Sequence, residues 1–116
     1  LLLPPKGVYA VCAEIADERG NFDGAEKYRG IADLGTRPTA GSSSEVMLET
    51  HLFGYDGSCY DRKIRVELCF RIRPEEKFAN LDELKKHLRE EDIPAAESFF
   101  SNMEAKKALA FSGDLC

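Results

Sequence analysis

The sequence has little of what would assign it at once to several common classes of protein. No apolar run approaches the roughly 20 residues that a membrane-spanning helix needs. The 21 acidic residues outnumber the 16 basic ones, and the formal charge of −5 gives no overall basic surface for nucleic-acid binding. Neither glycine-rich phosphate-binding fingerprint, GxxxxGK[ST] or GxGxxG, occurs. We therefore expect neither a membrane nor a nucleic acid as partner.

Cysteine and histidine are also sparse. The four cysteines form no CxxC pair and the two histidines are His51 and His87, so we expect no structural zinc site. Cys12 and Cys69 lie within apolar segments, which is typical of small core side chains. The opening residues lack the basic and apolar regions of a signal peptide. This pattern favours reduced thiols and a cytoplasmic protein over a disulfide-bonded one.

What the chain does have is the apolar content of one compact domain, with 43% hydrophobic residues among 116. Four segments carry strand-like alternation and are predicted as strands: 7–16, 25–34, 45–53 and 62–73. Gly30, inside the second of them, predicts a bulge or the close approach of another backbone. Residues 35–44 are rich in Gly and Ser and predict a mobile loop.

The apolar period changes to that of a helix after the fourth segment. Asn80 with Glu83 forms a capping-box pair, and Leu81, Leu84 and Leu88 make an apolar stripe that predicts a helix to about residue 91. Pro94 can open a second helix, and residues 104–111 are also helix-capable. Strands followed by helices indicate either an α+β domain or a small β-barrel with a C-terminal helix.

Glu49 is the first candidate for chemistry, because it is a carboxylate in an otherwise apolar strand. A partly desolvated carboxylate beside a hydroxyl substrate can act as a general base, although a solvated strand position is the alternative. Glu49 and His51 also have the spacing of a metal-ligand pair, but no third ligand is evident. Arg71 and Arg73 share the polar face of the last predicted strand, where they either bind phosphate or form a mixed-charge outer face.

Five strings, in order and at the same spacing, resemble the riboflavin kinase family, specifically the kinase module of bacterial bifunctional riboflavin kinase/FAD synthetases. They cover roughly residues 3–97 and are highly specific as an ordered set. The strings are LPPKGVYAV (3–11), YRGIADLGTRPT (28–39), VMLETHLFGYDGSCY (46–60), IRPEEKF (72–78) and LDELKKHLREED (81–92).

The resemblance implies a mainly β fold, a six-stranded antiparallel Greek-key barrel with C-terminal helices. It implies transfer of the ATP γ-phosphate to the riboflavin 5′-hydroxyl, which gives FMN. Glu49 matches the catalytic glutamate of the family's E-[TV]-H motif and would face a cavity inside the closed barrel as general base. The resemblance further implies flavin contacts from Arg73, Phe78 and Leu81, and nucleotide contacts from Leu52, Gly54 and Tyr60.

The chain departs from the family pattern in three places. Asp61 replaces a glycine after the family's tyrosine, and Asp33 replaces an asparagine. A Gly-rich segment and a Pro-Thr-Ala-Asn motif, whose Thr and Asn bind magnesium, do not precede the first string. Pro38-Thr39-Ala40 belongs to a later string, so we assign no metal ligand to Thr39. We therefore expect the Mg²⁺ ligands, and the remainder of the barrel, in a longer N-terminal part of the protein.

The expected organisation is a kinase module over residues 1–101, with strands to about residue 73 and helices from about residue 81, and a helical tail over residues 102–116. The intact protein is expected to carry a covalently linked adenylyltransferase domain. Two alternatives stay open: a non-catalytic flavin-binding or regulatory barrel domain, and an interaction domain with no ligand.

Overall fold

The structure is a computed structural model that describes residues 3–38, 41, 44–57 and 61–110, with the backbone alone at 37, 38 and 108–110. Its strands form one antiparallel sheet in the order β3-β2-β1-β4. They are β1 (Gly7–Ile15), β2 (Glu26–Pro38), β3 (Ser44–Leu52) and β4 (Ile64–Pro74). Helix α1 (Leu81–His87), a π-helical turn (Leu88–Asp92) and helix α2 (Ile93–Ala110) follow.

The fold is mainly β with C-terminal helices, as expected. The sheet of the described residues, however, is not closed into a barrel. Over the described residues β3 and β4 each pair with one neighbour only, so both are edge strands. The six-stranded closed barrel is therefore not formed by this part of the chain, because four strands leave a row of backbone groups unpaired at each edge.

Strand β1 is the centre of the fold, because its two faces are both buried. Alternate residues of β1 point to opposite sides, as its sequence pattern predicted. On the side that we call the helix face, a buried cluster joins the sheet to α2 through Ala96 and Phe100. Its sheet members are Val8, Ala10, Cys12 and Ile31. On the opposite face a second cluster contains Tyr9, Val11, Ala32 and Leu34. Cys12 is thus a core side chain, as predicted.

Strand β4 does not keep the strict alternation that its sequence predicts. Its pairing with β1 shifts register twice, between Val8 and Tyr9 and between Ala10 and Val11. Each shift inserts an extra residue into β4, and such bulges redirect the side chains that follow. As a result Arg71 pairs opposite Tyr9 and Arg73 opposite Val8. The prediction that these two arginines share one face is wrong.

The helices begin where the sequence indicates. The side chain of Asn80 accepts a hydrogen bond of 2.9 Å from the backbone N–H of Glu83, which confirms the predicted N-cap. Pro94 lies in the first turn of α2, also as predicted. The predicted first helix, however, changes to π geometry at Leu88. None of the described helices is long and apolar enough to cross a membrane.

Candidate active site

One row of register-paired residues crosses the whole sheet on the helix face. Glu49 of β3 pairs with Asp33 of β2, Asp33 pairs with Val8 of β1, and Val8 pairs with Arg73 of β4. Neighbouring strands lie about 4.8 Å apart, so the two ends of the row are separated by roughly 14 Å along the sheet. The row brings the predicted general base and the predicted flavin-binding arginine to one surface.

A cleft of about 210 Å³ lies over the β3 end of this row. Asp33, Glu49 and His51 line it from the sheet, and Leu84 and Leu88 line it from the helical segment above. Val8, Ile31 and Ala32 also line it, so the lining combines polar and apolar strand residues with apolar helix side chains. Such a surface suits a ligand with an apolar body and a polar chain.

Glu49 itself is exposed, and it opens into this cleft rather than into a barrel interior. Within the described residues β3 is an edge strand, so the cavity inside a closed barrel that the resemblance implies for Glu49 is not formed by these four strands and stays a prediction. A base in an open cleft is reachable by substrate, and in ligand-free enzymes the catalytic hydrogen bonds commonly form only when substrate binds.

Glu49 and His51 share the helix face of β3, as the alternation predicts. Within the described ranges no group of three or more His, Cys, Asp or Glu side chains is arranged to hold a metal ion. We therefore derive no chemical step through a metal bound by these residues.

The other end of the row is a cluster of charged and aromatic side chains around Arg73. Its guanidinium donates two hydrogen bonds to the Asp92 carboxylate, from Nε at 2.9 Å and from Nη2 at 3.0 Å. Its carbon Cζ lies 5.4 Å from the ring centre of Phe78, and that ring is 5.1 Å from the His87 ring. Arg73 and Phe78, both predicted flavin residues, are therefore in contact.

The electrostatics of this cluster keep Arg73 charged. Burial alone would lower the pKa of Arg73, but the hydrogen bond and the negative charge of Asp92 raise it. The negative charges of Glu76 and Asp33 raise the pKa further. The pKa of Arg73 consequently lies above its ordinary value, and the site presents a permanent cation beside an aromatic ring.

The remaining predicted residues are more scattered. Leu81 begins α1 and is 61% exposed. Leu52 lines a separate pocket on the opposite face with Leu48 and Ile64, so it opens away from Glu49. Gly54 lies in the turn after β3 with a positive φ of 74°. Tyr60 lies outside the described residues.

Sequence reasoning missed Asp92, which is 1% exposed and is the charged side chain most deeply buried in the described part of the chain. A signal was present in the sequence. Asp92 continues the helical spacing of Leu84 and Leu88, so a charge falls on what is otherwise an apolar stripe. A charge at such a position is stable only if it is paired.

Comparison with known proteins identifies the family of the chain. The family model for riboflavin kinase (Flavokinase) matches residues 1–100. The chain belongs to the riboflavin kinase family. The predicted resemblance is thereby confirmed.

Relatives of this riboflavin kinase domain are longer proteins. The bifunctional riboflavin kinase/FMN adenylyltransferase of Haemophilus influenzae is 36% identical over 99 residues, which cover 85% of this chain and 29% of that protein. The protein of the same name in Escherichia coli K12 is 40% identical over 96 residues, covering 83% of this chain and 28% of that protein. The chain spans less than a third of the length of these relatives.

A solved structure supports the fold. The crystal structure described as a macrolide-efflux protein from Streptococcus pneumoniae superposes with a TM-score of 0.62 at 28% sequence identity. The match covers 78% of this chain and 27% of that one.

Proposed function

We propose that the protein containing this chain phosphorylates riboflavin, moving the γ-phosphate of ATP to the riboflavin 5′-hydroxyl to give FMN and ADP. The observation that carries the proposal is the row from Glu49 to Arg73. It joins a carboxylate in an open cleft to a permanent cation beside an aromatic ring, on one face of one sheet.

Glu49 is the proposed general base. Its carboxylate accepts the proton of the 5′-hydroxyl while that oxygen bonds to the γ-phosphorus. The bond from phosphorus to the β–γ bridging oxygen breaks, and its electron pair leaves with ADP. Phosphoryl transfer depends mainly on positioning and on neutralising charge, so a base fixed on a strand suits the reaction.

Arg73, Phe78 and Leu81 are the proposed flavin contacts. Phe78 offers an aromatic face for the ring system, and Arg73 offers a cation for electron-rich atoms at its edge. The exposed Leu81 provides apolar contact at the start of α1. The cleft under Leu84 and Leu88 would then take the ribityl chain toward Glu49.

Leu52, Gly54 and Tyr60 are the proposed nucleotide contacts. Mg²⁺ would accompany ATP and neutralise its phosphates, and we assign it no ligand in this chain.

We also propose a six-stranded barrel completed by further strands, a module boundary near residue 101, a linked adenylyltransferase domain and a cytoplasmic location. The relatives' names support the linked domain, since they include FMN adenylyltransferase.

The test is Glu49→Gln in the full-length protein, assayed for FMN formation from riboflavin and Mg–ATP. We expect turnover to fall by about 10²- to 10⁴-fold, the usual contribution of a general base. Riboflavin binding, followed by flavin fluorescence, should stay within a few-fold. The matched control is Glu45→Gln, which makes the same change at an exposed position of the same strand.

Near-wild-type turnover in Glu49→Gln would remove this residue from the role. A wild-type protein that binds riboflavin without phosphorylating it would instead identify a non-catalytic flavin-binding domain. A protein that binds no flavin would identify an interaction domain.

A further inference from the structure

Asp92 is the buried charge that holds the flavin end of the proposed site together. Of the charged side chains that the structure describes, it is the one that is fully buried, with 1% of its surface exposed. A buried carboxylate is costly unless an opposite charge and hydrogen bonds compensate it. A burial this complete therefore requires specific partners.

The partners of Asp92 come from two different elements. Arg73 of β4 meets both carboxylate oxygens, at 2.9 and 3.0 Å, in the two-pronged geometry that a guanidinium allows. The ring of His87, in the last turn of α1, brings Nδ1 within 3.2 Å of the same carboxylate. Asp92 thus connects the edge strand of the sheet to the helical segment.

The π-helical turn ends at Asp92, the residue that pairs with Arg73. The turn runs from Leu88 to Asp92 between α1 and α2. A π turn adds a residue to the helical repeat and so rotates the residues that follow it, and such turns are frequent at functional sites. This turn and the β4 bulge next to Arg73 are therefore two irregularities that adjoin the same ion pair.

The ion pair restricts how Arg73 can meet a ligand. Nε and Nη2 are both committed to Asp92. Nη1 remains, donating to the Pro74 carbonyl at 3.3 Å and lying 3.8 Å from Glu76. With two of its nitrogens fixed, the guanidinium is held in one orientation over Phe78 before any ligand arrives. Such preorganisation reduces the entropy lost on binding.

We propose that Asp92 is a positioning residue for flavin binding: it fixes the guanidinium of Arg73 and, through it, the Arg73–Phe78 surface that receives the flavin. Asp92 does not touch the ligand. This inference rests on the proposed function, because it assigns a use to the flavin end of that site.

The test compares Asp92→Asn with Asp82→Asn in the full-length protein. Both variants remove one carboxylate charge from the same helical segment, but Asp82 is exposed in the first turn of α1. For Asp92→Asn we expect KM for riboflavin and Kd for FMN to rise at least tenfold, with kcat within threefold of wild type. For Asp82→Asn all three should stay within twofold. Asp92→Glu should recover part of the affinity.

A purely structural role would give a different pattern. It would lower kcat in proportion to the folded fraction, lower the melting temperature in parallel, and leave KM unchanged. That result would overturn the inference. If Asp92→Asn does not fold, Arg73→Lys is used instead, because lysine keeps the positive charge but cannot donate two parallel hydrogen bonds to the Asp92 carboxylate. The expected result is again a rise in KM and Kd, and unchanged values would overturn the inference.

The two proposals fail separately. If the wild type binds riboflavin and a folded Asp92→Asn binds it equally well, this inference alone is wrong. If the wild type binds no flavin, the proposed function is wrong and the inference falls with it.

Discussion

Gly30 and His51 lie in direct backbone contact across strands β2 and β3. A Cβ atom added to Gly30 would stand 2.1 Å from the carbonyl oxygen of His51. Real side chains do not tolerate such a distance, so this position of β2 has room only for glycine. The prediction of a close backbone approach at Gly30 is confirmed. The contact matters for the site because His51 lines the same cleft as Glu49.

Gly30→Ala should therefore destabilise the domain by about 1–3 kcal/mol, the usual cost of forcing an extra methyl group into packed structure. Urea unfolding followed by circular dichroism measures this. Gly35→Ala is the control on the same strand, because its new methyl group would meet the carboxylate of Glu75, a flexible side chain that can move away. Equal stability of Gly30→Ala and wild type would contradict the contact.

Arg73→Ala should cost more, because it leaves the buried Asp92 without its cation. Removing one partner of a buried ion pair typically costs about 3–5 kcal/mol. The double variant Arg73→Ala/Asp92→Ala removes both charges and should recover part of that loss. Unfolding free energies of the two single variants and the double variant form a double-mutant cycle. Strictly additive losses would show that the pair contributes no coupling.

The Arg73→Ala variant should also lose flavin affinity, because it removes the cation beside Phe78. Titration calorimetry with riboflavin or FMN measures the change in Kd. An affinity equal to that of the wild type would count against Arg73 as a flavin contact.

Cys69 should ionise at higher pH than an ordinary thiol. Burial raises the pKa of its thiol, and the charge of Glu67 raises it further. The raised pKa means that the folded state favours the neutral thiol. The contribution of Cys69 to the free energy of unfolding is therefore fully present below the ordinary thiol pKa, and it is lost as the pH rises through the higher pKa of the folded state. Iodoacetamide labelling of Cys69, followed by mass spectrometry, should therefore reach half its maximal rate at a higher pH in the folded protein than in urea. Coincident pH profiles would contradict the prediction.

The strands could be predicted from the sequence because their pattern is local. The alternation of residues 7–16 gave β1 and the two faces of its core, and Asn80 with Glu83 gave the start of α1. Strand β2 is longer than predicted. It runs on to Pro38, inside the predicted loop, because Pro38 finds a pairing partner in Ser44 of β3. Pairing between distant segments is not visible in local composition.

The features that shape the site could not be predicted in the same way. The apolar alternation of residues 62–73 is regular, yet β4 bulges twice because it must match β1 across the sheet. The π-helical turn ends at Asp92, whose partner Arg73 is 19 residues away in the sequence, so local composition does not show the pairing. The motif resemblance predicts roles for Glu49, Arg73 and Phe78, whereas the pairing of Asp92 with Arg73 is seen in the packing of the structure.

The strand order has a mechanical consequence for whatever occupies the site. Glu49 and Arg73 lie on the two outermost strands of the described sheet, and within the described residues each of these strands has backbone hydrogen bonds along one side only. A molecule that contacts both residues would connect the two edge strands, β3 and β4, across the central strands and would restrict their opening. Amide hydrogen exchange along β3 and β4 would then slow together upon binding, while β1, already enclosed on every side, would hardly respond.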